Sequence, residues 1–290
     1  MRRYRTFVLA AALVLPFCSS TFAQPCSLNT VRGTWAYQGH GTVMMSVPAN
    51  PAPVPVPFAA LGIGPIDYQG RYTVHATISL GGEIQEVDFS GLIRVNPDCT
   101  ATDTYSSGPL QGANRLVILD NGNEIRSMPT EFPMGPAAGI FHLRRISRAE
   151  PQCTSGMVRG AYVASREGIV LMQIPGQPQP VPAPFSAIVT ANVHWNGNAT
   201  AASTASMGGT IVNFEFSSAS FQVNTDCTAT LNYTAVSKQF PGQTFTGALK
   251  YVVLNNGDEL LGLDTRSTGV LPVVLEDMKR ISMTPVTPDQ

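Results

Sequence analysis

The sequence predicts an all-β protein: two tandem antiparallel up-and-down β-barrels of about eight strands each, with β-sandwiches as the alternative. Three observations carry this. Charged residues are only 13% of the 290-residue chain while Gly (26) and Pro (23) are abundant, and long apolar runs of helical period are absent, which points away from bundles and α/β enzymes. Between turn signals, apolar and polar residues alternate with period two. The second half of the chain also repeats the first.

The first 23 residues read as a signal peptide and stand outside the fold. Arg2, Arg3 and Arg5 form a basic start, Phe7 to Phe17 an apolar core too short to span a bilayer, and Thr21-Phe22-Ala23 a small-residue cleavage site before Gln24. Phe17 is too bulky for the lipid-attachment motif that Cys18 would need. No later segment is long and apolar enough to span a membrane as a helix. The expected location is therefore the periplasm or the extracellular space. Without the three leader arginines, fifteen basic residues face nineteen acidic ones, a balance that argues against nucleic acid as a partner. No oligomeric state is implied.

Two repeats follow, expected over residues 24–149 and 150–290. At a shift of 127, Cys26 to Trp35 aligns with Cys153 to Tyr162, and Pro53-Val-Pro-Val-Pro-Phe58 with Pro180-Val-Pro-Ala-Pro-Phe185. Further on, Asn96-Pro-Asp-Cys-Thr-Ala-Thr102 aligns with Asn224-Thr-Asp-Cys-Thr-Ala-Thr230, and Leu119-Asp-Asn-Gly-Asn-Glu124 with Leu254-Asn-Asn-Gly-Asp-Glu259. Small insertions confined to turns mark duplication of a whole domain. Four cysteines of an exported chain read as two disulfides with three possible pairings. Because each copy carries its two at equivalent places, the economical pairing is Cys26–Cys99 and Cys153–Cys227.

Turn chemistry then sets the strands. Asn121-Gly122 and Asn256-Gly257 fit type I′ turns, where both central residues need positive φ. Asn96-Pro97-Asp98 fits a type I turn, and Gly81-Gly82 and Tyr68-Gln69-Gly70 mark two more. In between, Cys227, Ala229, Leu231 and Tyr233 alternate with Thr228, Thr230, Asn232 and Thr234. Eight sequential strands in about 125 residues suit a closed barrel, which leaves no exposed edge.

Two resemblances follow from these residues. Gly33-Thr34-Trp35 on the first strand, with Arg144 or Arg145 on the last, resembles the lipocalin and calycin barrels, in which a Gly-x-Trp packs under an arginine and plugs the barrel base. The second copy offers Gly160-Ala161-Tyr162 and Arg280, with Tyr in place of Trp. The resemblance implies base packing by Trp35, Arg145, Tyr162 and Arg280. The fuller pattern, Cys-x6-Gly-x-Trp/Tyr through Val-Asn-x-Asp-Cys-Thr-x-Thr, resembles a group of secreted bacterial tandem-repeat proteins of unknown function and implies no activity.

Candidate sites are sparse. The proline stretches Val47–Pro57 and Ile174–Pro184 read as stiff surface loops or as lids over a barrel mouth, with Phe58 and Phe185 as ligand-binding entrance residues. His40, His75, His142 and His194 share no metal-ligand spacing, Glu86 and Asp88 share a solvent face, and no serine nucleophile motif is present. Trp35, Tyr37, Tyr162, Phe214, Phe216 and Phe221 read as core. No catalytic residue, metal or cofactor is assigned. The expectation is an exported, non-catalytic two-domain protein binding a small apolar ligand in a cavity of a few hundred Å³. The alternative is a structural or protein-interaction module with packed barrels. An enzyme ranks third, and needs a polar cluster with a perturbed titratable group inside a barrel.

Overall fold

The computed structural model describes residues 25–47, 50–172, 176–177 and 180–284. The signal-peptide reading, with Cys18, lies outside the described residues. A short helix α1 (Leu28–Val31) leads into eight strands: β1 (Gly33–Val47), β2 (Asn50–Ile66), β3 (Arg71–Leu80), β4 (Glu83–Val95), β5 (Thr100–Ser107), β6 (Leu110–Leu119), β7 (Glu124–Glu131) and β8 (Ala137–Ser147). Eight more follow: β9 (Gly160–Met172), β10 (Val181–Val193), β11 (Asn198–Met207), β12 (Thr210–Val223), β13 (Thr228–Ser237), β14 (Thr244–Leu254), β15 (Glu259–Ser267) and β16 (Val270–Ser282). Each set forms a closed antiparallel barrel in sequence order, the first sealed by β1 against β8 and the second by β9 against β16. Those closing pairs exclude the sandwich.

The turns follow from their residues. Asn121 (φ 51°, ψ 33°) and Gly122 (φ 82°) form a type I′ turn closed by Asn123 N–H donating to Asp120 O at 2.9 Å, and Asn256-Gly257 repeats it. The loop is wider than two residues, because the last ladder pairs are Leu119 with Glu124 and Leu254 with Glu259. In the Asn-x-Asp-Cys-Thr motif, Asp98 accepts from the Thr100 N–H (3.0 Å) and hydroxyl (2.7 Å), and Asp226 does the same with Thr228. The cysteine takes a left-handed conformation, φ 65° at Cys99 and 70° at Cys227. The disulfides are Cys26–Cys99 and Cys153–Cys227, and each ties the segment before the first strand to this turn.

From Asn50 on the first proline stretch is strand, whereas the second becomes strand only at Val181; residues 48–49, 173–175 and 178–179 lie outside the described residues. Val54 and Val56 of β2 face Met45 and Val43 of β1, and Val181–Pro184 faces Met172–Ile169. The Pro57 carbonyl accepts from Gly81 N–H at 2.8 Å, so this residue's polar edge points away from β1. With prolines at every second position, all the missing N–H groups fall on that edge, and the residues between them bond to β1. Pairing of β2 with β3 starts only at Phe58 opposite Leu80, so the proline edge has no strand beside it to leave unsatisfied.

The barrels pack on one another through outward residues. Ala36, Ala59 and Leu61 of the first meet Val252, Leu254, Leu261, Leu263, Val273 and Leu275 of the second in one buried cluster. Gln38 crosses to the carbonyls of Gly262 (3.3 Å) and Glu276 (3.1 Å), Ser79 donates to Pro272 O, and Lys250 pairs with Glu86 at 2.6 Å. Buried Glu259 takes Arg144 from the other barrel. On β14 to β16 the alternation therefore breaks into the runs Tyr251-Val252-Val253-Leu254 and Leu260-Leu261-Gly262-Leu263, apolar on both faces.

Each disulfide closes a loop of 73 or 74 residues, which the chain-entropy account credits with about 4 kcal/mol. The double variant Cys153→Ser/Cys227→Ser is expected to lose roughly that much by urea unfolding while keeping its β-sheet circular dichroism.

Candidate functional site

Both barrels are plugged at the same end. The Trp35 indole N–H donates to Val31 O at 2.7 Å, and the Arg145 guanidinium lies 4.6 Å over its ring while donating to the carbonyls of Thr30, Arg32 and Gly122. In the second barrel, Arg280 lies 5.6 Å over Tyr162 and donates to Gly257 O (3.2 Å), Asn256 O (2.9 Å) and Met157 O (2.8 Å), and the Tyr162 hydroxyl donates to Gly257 O at 2.7 Å. Each arginine thus gathers carbonyls from the entering segment and from the type I′ turn. Gly33 sits at φ +135°, where a Cβ would lie 2.4 Å from Ser147 O; this close approach explains the glycine of Gly-x-Trp.

Above the plug the first barrel is partly hollow, with a cavity of about 110 Å³. That is well below the few hundred Å³ expected, because side chains fill most of the interior. Phe58 lies on its wall, stacked between Phe132 (5.7 Å) and Phe141 (5.9 Å). Phe89 and Tyr105, edge to face at 5.6 Å, form another side. The wall is not wholly apolar. Asp103 of β5 is buried, accepting from the Tyr72 hydroxyl (3.1 Å) and the Asn114 amide (2.8 Å). Burial pushes its pKa up to about 6, although those hydrogen bonds pull the other way. Among the described residues no lysine, arginine or histidine pairs with it. The Tyr37 hydroxyl, also on this wall, is buried without a protein hydrogen-bond partner, and burial raises its pKa further, with the Asp103 charge adding to the effect.

The second barrel solves the same space differently. Its cavity is about 90 Å³, with Phe185, Phe214, Phe216, Tyr233 and Phe245 on the wall. Phe214 and Phe216 are half-buried, and Phe221 is buried lower down. Buried Arg166 of β9 lines both this cavity and a smaller one beside it. It pairs with Asp264 at 2.5 Å and Glu276 at 3.3 Å and lies 5.5 Å over the Phe185 ring. Ser267 donates to Asp264, and Tyr251 to Glu276, each at 2.8 Å. Burial raises the pKa of both acids, against the pull of Arg166.

The registers make the contrast position by position. Counting from the base pairs Trp35 with Arg145 and Tyr162 with Arg280, four residues up the closing seam stand Gly39 with Phe141 in one barrel and Arg166 with Glu276 in the other. A Cβ on Gly39 would lie 2.1 Å from the Phe141 ring, so that ring fills the space an arginine uses next door. Conversely, the cross-strand pair Asp103 with Asn114 corresponds to Leu231 with Leu249, each pair starting four residues after its cysteine.

Tyr37, Tyr72, Asp103, Asn114 and the Arg166 cluster were not candidates from sequence, apart from Tyr37 as core. One signal was available. Carrying the alternation of Cys227, Ala229, Leu231 and Tyr233 to the first copy gives Cys99, Ala101, Asp103 and Tyr105, which turns Asp103 inward. The other expected residues stay apart from this site. Glu86 and Asp88 are exposed, His75 contacts Asp88, and no group of three metal-binding side chains occurs among the described residues. Nor is any helix there long and apolar enough to cross a membrane.

No protein-family model matches the chain, and no curated protein matches it. Among solved structures, it is similar to a protein of unknown function from the DUF3598 family of Nostoc punctiforme, at 12% identity and a TM-score of 0.25, over 88% of this chain and 99% of that one. A likeness at that level carries no argument.

A carboxyl held at about 6 in the fold, against an ordinary 3.8, binds its proton more tightly folded than unfolded. Stability should therefore fall as pH rises through that window, by about 3 kcal/mol in all. Asp103→Asn should abolish this fall and raise the urea midpoint at neutral pH. In the second barrel, Arg166→Met leaves two buried carboxylates unpaired and is expected to cost about 3–5 kcal/mol in the same assay.

Proposed function

We propose that the chain is an exported, non-catalytic binding protein. Its two barrels read as copies of one unit, over 24–149 and 150–290, behind a signal peptide at 1–23. The first barrel takes a small ligand with a compact apolar body and one polar end. The second leaves a cavity of similar size but carries its own cation, Arg166, inside, and it buries one outer face of the first.

The observation that carries this reading is the Tyr37 hydroxyl. A buried hydroxyl without a partner costs about 1–3 kcal/mol, and this one stands on the wall of a cavity rimmed by Phe58, Phe132 and Phe141. The volume limits the occupant, since a cavity of about 150 Å³ accepts benzene; some five heavy atoms fit here. Export is supported by the leader and the two disulfides. Asp103 meets the minimum an enzyme would need, a perturbed acid inside a barrel. Its neighbours favour binding: the Asn114 amide does not titrate, and Tyr37, Tyr72 and Tyr105 are all pushed upward, Tyr105 to about 12, so no second acid–base group stands near neutrality. The packed structural module is the second reading, favoured by how little space either barrel leaves.

Isobutanol and isobutylamine, of five heavy atoms, and isobutyramide, of six, share a branched four-carbon skeleton and differ in the polar end. Calorimetric titration of the mature chain should show saturable millimolar binding of at least one of them. Tyr37→Phe should weaken it about tenfold without lowering the unfolding midpoint. Absence of saturable binding by all three would establish the packed-module reading instead.

A further inference from the structure

The geometry points to a small primary amine, bound as its ammonium ion, as the ligand class of the first barrel, with Asp103 as counter-ion and the surrounding aromatic rings as its cage. The inference rests on the binding reading above and narrows it.

Three observations converge. First, Asp103 is a buried carboxyl with only neutral donors, Tyr72 and Asn114, against it. A buried carboxylate ordinarily has a cation, since neutral hydrogen bonds return only part of its lost hydration. Second, the space beside it is walled by aromatic rings, among them Tyr37, Phe58, Phe89 and Phe141, and ring faces attract cations most where water is excluded. Third, the second barrel brings buried acids and an aromatic ring together around a cation from its own chain. There the buried acids Asp264 and Glu276 are paired by Arg166, whose guanidinium lies over Phe185. The first barrel keeps the equivalent aromatic, Phe58, and a buried acid, but holds Gly39 at the arginine's register position. The cation missing from its own chain is the one a ligand would bring.

A primary ammonium suits the polar atoms better than a quaternary one. Its N–H groups can donate to the Asp103 carboxylate and to the Tyr37 hydroxyl oxygen, the acceptor with no protein partner. The alkyl body then lies among Phe58, Phe89 and Phe141. An alcohol or amide in the same place leaves the carboxylate without a charge partner.

The pH dependence follows from the groups facing the cavity. These are Tyr37 from β1, Tyr72 from β3, Asp103 and Tyr105 from β5, Asn114 from β6 and Ser127 from β7. Of them only Asp103 titrates between mildly acidic and neutral pH, at about 6 in the empty barrel, while an alkylamine stays protonated throughout. Affinity should be level above that value and fall by up to about tenfold for each pH unit below it.

The test is titration of the mature chain with isobutylamine and isobutanol at neutral pH and about two units lower, in wild type and Asp103→Asn. Asn has nearly the same shape, and the wild-type pH profile reads the same interaction without substitution. The expected result is at least tenfold preference for the amine in wild type, shrinking at low pH and absent in Asp103→Asn, while isobutanol affinity changes little in either case. If isobutanol or isobutyramide binds as tightly as the amine, or amine binding ignores pH and the substitution, the amine assignment is overturned and the small-ligand reading stands. If nothing binds, both are overturned.

Discussion

Ring closure is the constraint on which the rest of the structure depends. Once β1 pairs with β8 and β9 with β16, every strand has a neighbour on both sides within the ring, and an eight-stranded ring encloses a nearly fixed volume. Every inward position must then be filled by a side chain, balanced by a charge partner, or left empty. The two barrels answer this in complementary ways. Where one places Gly39 under the Phe141 ring, the other places Arg166 against Glu276; where one buries Asp103 beside Asn114, the other buries Leu231 beside Leu249. One interior sets its own arginine between two buried acids. The other does not.

The closed end of each ring is held by one repeated device. An arginine from the last strand covers an aromatic of the first and collects carbonyls from the entering segment and the type I′ turn, and the disulfide pins that segment to the Asn-x-Asp-Cys-Thr turn. Because Arg145 and Arg280 are used here, neither reaches the cavity above. The space left inside each ring lies above the plug, beside Phe58 in one barrel and Phe185 in the other. The apolar seam around Ala36, Leu61, Leu263 and Leu275 holds the barrels side by side, so the outer face of β1 is packed while its inner face carries Tyr37.

Much of this was legible in the sequence, because strand alternation and turn chemistry are local. The strand number and the type I′ turns come from local patterns, the cysteine pairs from the internal repeat, and the Trp35 and Tyr162 base packing from the lipocalin-like resemblance. The first proline stretch misled because proline is read as a strand breaker; at every second position on an unpaired edge it breaks nothing. The barrel-to-barrel seam was visible as doubly apolar runs in β14 and β15, which period-two reading treats as noise. The polar cluster was the least legible. Asp103 is in phase with the inward set, yet Tyr72 and Asn114 reach it from β3 and β6 and Tyr37 joins the same wall from β1, and no local pattern shows which side chains of distant strands meet inside a ring.

The central claim is that the first barrel keeps a carboxyl without a charge partner beneath an aromatic wall. The most direct measurement is a pH titration of the Asp103 side-chain carboxyl by carbon-detected NMR in the ligand-free mature protein. The account predicts a midpoint near 6, set by burial. A midpoint at the ordinary value near 4 would mean that water or an unrecognised cation already satisfies the carboxylate, and would contradict it.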